Sequence, residues 1–99
     1  MDVFVSSSAY IDLENIGKNY NNQGMPHIGK QFITAIMEHA QTLIDNPSIG
    51  RVVPEFGEER IRALIHSPFR IVYLKEQNSV HVIRVWRSER LLKLPDSET

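Results

Sequence analysis

The sequence predicts an α+β fold, a β-α-α-β-β-β chain in which an antiparallel two-helix hairpin packs on one face of a small antiparallel β-sheet. Three observations lead there. Apolar residues recur at helical spacing through two successive segments of the first half. After residue 60 the spacing switches to alternation. The alternating segments are joined by connections too short to hold a helix, so consecutive strands must run antiparallel.

Each element has its own signal. Val3-Phe4-Val5 is a short apolar strand, expected to pair as an extra strand at a sheet edge. Ser6, Ser7 and Ser8 supply hydroxyls that cap a helix start. Tyr10, Leu13, Ile16 and Tyr20 then predict an amphipathic helix over 8–20. Asn21-Asn22-Gln23-Gly24 breaks it, and Pro26 suits the first turn of a second helix. That helix carries Ile28, Phe32, Ile33, Ile36, Met37, Ala40, Leu43 and Ile44 down one face and ends before Pro47. Two helices so close in sequence form a hairpin. Residues 47–59, with Gly50, Pro54 and Gly57, read as a loop.

Three strands follow. Ile61, Ala63 and Ile65 alternate with Arg62 and Leu64; Phe69, Ile71 and Tyr73 alternate with Arg70, Val72 and Leu74. Val80, Val82, Arg84 and Trp86 alternate with His81, Ile83 and Val85 after a Gln77-Asn78-Ser79 turn. The helices cover one face; the other is left partly open, its rows interrupted by arginines. A single domain over 1–94 is expected, with 95–99 as a frayed tail.

Composition narrows the function classes. There is no cysteine, which rules out disulfides, thiolate metal sites and cysteine nucleophiles. The N-terminus lacks the pattern of a signal peptide, and no stretch approaches the length of a membrane span. A cytoplasmic protein with no membrane association is the expectation. The near-neutral total hides an asymmetry. Residues 1–50 hold two bases against five acids, whereas residues 60–93 hold eight bases against two acids. A local excess of this kind suits an acidic protein partner or a nucleic acid, or marks a solvated sheet face.

The ordered set of local strings resembles the RelE/ParE toxin superfamily, on the ParE side. The strings are Ala9-(x)2-Asp12-Leu13-(x)2-Ile16, Phe32 through Leu43, Pro47-Ser48-Ile49-Gly50-Arg51 and Pro54-Glu55. Ile61-Arg62-(x)2-Ile65, Phe69-Arg70-Ile71-Val72-Tyr73, Val82-Ile83-Arg84-Val85 and Arg90 complete it. The resemblance covers about residues 3–92. The Pro-Gly-Arg loop and the Phe-Arg-Ile-Val-Tyr strand carry the ParE-like character. It implies the toxin of a type II toxin–antitoxin system. Members of this superfamily either cut mRNA on the ribosome or poison DNA gyrase. Both kinds are held inactive by an antitoxin whose C-terminal segment wraps the toxin.

The residues weigh against RNA cleavage. A metal-free ribonuclease needs a base, cations around the phosphorane and an acid for the leaving oxygen. With the chain aligned on Phe69–Tyr73, Arg70 matches the superfamily's strand arginine. The two lysine places fall on Ile61 and Ala63, the C-terminal arginine on Ser88 and the tyrosine on Leu94. A shift of one residue brings Arg60 and Arg62 to the lysine places, but no shift supplies a C-terminal tyrosine. Where ParE-like chains often carry leucine–histidine, Trp86-Arg87 stands.

The expectation is therefore an inhibitory binding protein rather than an enzyme. Gyrase is the expected target and a ParD-like antitoxin with an acidic C-terminal segment the expected partner, in a hetero-oligomer. Direct DNA contact is expected only through the antitoxin. Arg62, Arg70 and Arg84 are the antitoxin-binding candidates. Trp86, Arg87 and Arg90 are the target-binding candidates, with Trp86 either a partner anchor or a core residue. Were the chain a nuclease, Arg70, Arg84 and Arg87 would stabilise phosphate charge. His27, His39, His66 and His81 lack metal-ligand spacing. His66 and His81, on adjacent strand regions, could approach each other. No cofactor and no metal are expected.

Overall fold

The computed structural model describes residues 1–87. The order is β1 (Asp2–Val5), α1 (Ser7–Asn22), α2 (Pro26–Gln41), a 3-10 turn (Thr42–Ile44), β2 (Arg51–Val52), β3 (Ile61–His66), β4 (Phe69–Lys75) and β5 (Ser79–Arg87). The predicted fold class is the observed one. Arg90 and the predicted tail lie outside the described residues.

The helix boundaries follow from capping and close contact. The Ser6 hydroxyl accepts from the Ala9 amide at 3.2 Å, satisfying an N-terminal donor. Gly24, at φ +75°, turns the chain between the helices, and Pro26 opens α2. Gly29 lets α2 approach α1, for a Cβ there would meet the Tyr20 Cβ at 3.0 Å. Ala9, Leu13 and Ile16 of α1 and Ile36 and Ala40 of α2 are buried against the sheet, the spacing of one helical face. Phe32 joins the layers, stacked on Tyr20 at 5.6 Å and edge-on to Phe69 at 5.2 Å.

The sheet order is β1-β5-β4-β3-β2. The meander β2 to β5 is antiparallel, whereas β1 runs parallel to β5 at the edge, Val3 opposite Val80 and Val5 opposite Val82. The expectation of a wholly antiparallel sheet is corrected here. Parallel pairing needs a long crossover, and the hairpin with the following strands supplies one. The loop expected over 47–59 also contains β2, whose two residues are too few to show a period.

The sheet has two unlike faces. Phe69, Ile71, Tyr73, Val80, Val82 and Val85 form the main core with the helices. On the opposite face Ala63 and Val72 gather Val53, Ile61, Ile83 and Trp86 into a smaller cluster. A register shift at Val72/Tyr73 keeps both Val82 and Val85 on the helix face.

Candidate interaction surfaces

The basic residues singled out in the sequence are placed on different surfaces. Arg62 lies opposite Tyr73 on the helix side of the sheet. Its Nη1 donates to Gly50 O at 2.9 Å and Ser48 O at 3.3 Å. Arg70 pairs across the sheet with Trp86 on the opposite face. Its side chain is 10% exposed, and Nη2 donates to Glu55 at 3.2 Å. The Glu55 carboxyl is held below its ordinary pKa first by its own backbone N–H and, against burial, by Arg70. Arg84 starts from this face and reaches round the β5 edge to α1. Its Nε and Nη2 donate to the two Asp12 oxygens at 2.8 and 3.0 Å.

Asp12 does more than pair a charge. Its Oδ2 also accepts from the Val85 amide at 2.8 Å. The Ser6 amide donates to Val82 O and the Ser6 hydroxyl to Ile83 O. Thus, where β1 ends, Ser6 and Asp12 take over the edge bonds of β5. These contacts join α1 to the strand and block that stretch of edge from further pairing. The Asp12 bond is the first cause that raises the Arg84 pKa, with burial opposing it.

Trp86 is half-buried. The guanidinium carbons of Arg84 and Arg70 lie 5.3 and 5.6 Å from its ring centre, within cation–π reach. Phe56 of the preceding loop stacks at 6.4 Å. That loop folds over the open face with Val53 buried and Phe56 exposed. Sequence reasoning missed this cover, since neither residue belongs to a periodic run. Arg87 is exposed, lies opposite Phe69, and sits 5.5 Å over that ring.

A groove of about 680 Å³ separates α1 from the end of β5. Asp12, Asn15, Asn19 and Gln23 give it a polar wall, Ile16, Tyr20, Phe69, Val85 and Trp86 an apolar floor, and Arg87 a cation. The loop before β2 is fixed by a buried hydroxyl. Tyr73 Oη accepts from the Gly50 amide at 3.0 Å and donates to Pro47 O at 2.8 Å. Burial raises the Tyr73 pKa against the opposing effects of Gly50 and Arg62, so the phenol keeps the proton it donates. Ile49 is exposed on this anchored loop.

The histidines pair differently from the expectation. His66 meets His39 of α2, Nδ1 to Nδ1 at 3.0 Å. His81 instead faces Ser79 and stacks on Phe4. Burial, then the neighbouring His66, lowers the His39 pKa. Among the described residues, no three His, Cys, Asp or Glu side chains gather as metal ligands. No helix among them is long and apolar enough to cross a membrane.

The family model for the ParE toxin of the type II toxin–antitoxin system parDE matches residues 3–92. The chain belongs to the ParE toxin family. A solved structure described as the chromosomal ParDE system from P. aeruginosa is similar to it, with a TM-score of 0.72 and 22% identity. The match covers 88% of this chain and 95% of that one, and at this identity it speaks for the fold. No curated protein matches. A ParE toxin implies an antitoxin partner, which gives the groove and the sheet edges their interest as contact surfaces.

Proposed function

We propose that this ParE toxin arrests growth by binding DNA gyrase, without chemistry of its own, and that a cognate antitoxin neutralises it by direct contact. Family membership supports the toxin role. The observation that favours binding over RNA cleavage is the state of the strand arginines. A nuclease would aim Arg70 and Arg84 at a phosphate, yet Arg70 pairs with Glu55 and Arg84 with Asp12. Each would have to leave a carboxylate before it could stabilise phosphorane charge.

The antitoxin reading rests on the α1–β5 groove. Its apolar floor and polar wall fit an amphipathic segment, and Arg87 in its lining, with the part-exposed Arg84 held by Asp12 of its wall, suits acidic side chains on that segment. The target reading rests on Trp86 and Arg87, consecutive at the end of β5, which present an indole on the open face and an exposed cation on the helix face. Incubating purified toxin with gyrase and relaxed plasmid tests the proposal. Loss of supercoiling with accumulation of cleaved DNA is expected, and added antitoxin should restore activity. Unimpaired gyrase at a large molar excess of toxin, together with new mRNA 5′ ends within codons after induction, would replace it with ribosome-dependent mRNA cleavage.

A further inference from the structure

The His39–His66 pair lies outside the α1–β5 groove and takes no part in the proposed activity. We propose that His39 and His66 form a two-imidazole chelate for a divalent transition-metal ion of the copper or nickel type, bound where the α2 end meets β3.

The geometry carries this inference. The two residues are 27 positions apart and come from different elements, so their approach is made by the tertiary fold. The two Nδ1 atoms face each other, with ring centres 5.1 Å apart and ring planes tilted by 55°. Two imidazole nitrogens each bound at about 2.05 Å, and separated by the observed 3.0 Å, subtend about 94° at the ion. That is the cis angle of square-planar or octahedral coordination, which Cu(II) and Ni(II) favour with nitrogen and oxygen donors.

Without metal, the two nitrogens facing each other share one proton, as donor and acceptor. The ion takes that proton's place, and a small rotation of each ring turns both lone pairs onto it. Both histidines are only partly buried, which leaves room for water. Water completes the coordination, because no third His, Cys, Asp or Glu joins the pair among the described residues. An ion held only by the folded arrangement stabilises the fold by mass action.

The full-length chain, titrated with Cu²⁺ and separately with Ni²⁺, tests the site. The expected result is a Tm that rises with metal concentration and returns on chelation. In His39→Asn and His66→Asn, affinity should fall by at least the roughly tenfold that loss of a group merely orienting a ligand costs, while His81→Asn binds as the wild type does. Electron paramagnetic resonance of the wild-type copper complex gives a readout that needs no variant and should show two coordinated imidazole nitrogens. No binding by the wild type, fewer than two imidazole nitrogens, or a shift that persists in the His39 or His66 variant would overturn the proposal.

Discussion

The Asp12 carboxylate on α1 holds the Arg84 guanidinium of β5 in a two-pronged bond at 2.8 and 3.0 Å, across 72 residues of sequence. The same carboxylate accepts the Val85 amide at 2.8 Å. One side chain therefore serves as ion-pair partner and as substitute for a missing neighbour strand. The Asp12 side chain is 11% exposed and that of Arg84 43%, so the two partners are not equivalent. Removing Asp12 strands a guanidinium and a backbone donor, whereas removing Arg84 leaves Asp12 bonded to Val85. Asp12→Ala is expected to cost about 1–3 kcal/mol, and Arg84→Ala clearly less. Urea denaturation of both variants measures this, and the reverse order would contradict it.

The loop before β2 gives a second prediction. Tyr73→Phe removes the partner of the Gly50 amide and of the Pro47 carbonyl, at about 1–3 kcal/mol for the stranded groups. Gly50→Ala should destabilise for a different reason. Its Cβ would sit 2.6 Å from Tyr73 Oη and 2.8 Å from the Ala63 carbonyl. Strand and ring would have to move apart, an overpacking cost of about 1–3 kcal/mol. Both variants should speed hydrogen exchange at Gly50, and unchanged protection there would refute the role of the hydroxyl.

How much of this was legible in the sequence depends on the range of the interaction. The helices and the meander came from local periodicity, and α1 and β3 to β5 lie where that periodicity placed them. The direction of β1 was not legible, because pairing direction leaves no mark in a short apolar run. β2 was missed since two residues carry no alternation. The arginines were legible as a positive segment but not as partners. Asp12 read as one polar position on a helix, and nothing local joins it to Arg84. Tyr73 fitted the alternating core row, while its hydroxyl acts on a loop 23 residues earlier. The same range explains why His66 meets His39 rather than His81.

Acid should act through Glu55. Its folded pKa lies below the ordinary value, so its contribution is present above the unfolded pKa of about 4.3 and is lost as pH falls through the folded one. Glu55→Gln should lower stability at neutral pH slightly and converge with the wild type in acid. The carboxylate is more than a third exposed, so salt should shrink the difference. A gap between the proteins that widens as pH falls would reverse the assignment.

Charge should steer the antitoxin unequally through the three arginines. Arg84 keeps 43% side-chain exposure, against 10% for Arg70. Arg84→Ala is expected to slow association and weaken its salt dependence. Arg70→Ala should act mainly on toxin stability, and Arg62→Ala on the loop whose carbonyls it holds. Stopped-flow association at several salt concentrations distinguishes these effects. Equal slowing by all three would mean that their internal bonds open in the complex.

The proposed activity is inhibition of gyrase by a binding surface at the end of β5. The most direct measurement is the dose at which purified toxin halves gyrase supercoiling, compared among wild type, Trp86→Ala and Arg87→Ala, with folding checked by circular dichroism. The wild type is expected to inhibit, and a folded Arg87→Ala variant to need a half-inhibitory dose roughly tenfold higher, the effect of about 1.4 kcal/mol of lost contact energy. A wild-type toxin that leaves supercoiling untouched at large molar excess would contradict it.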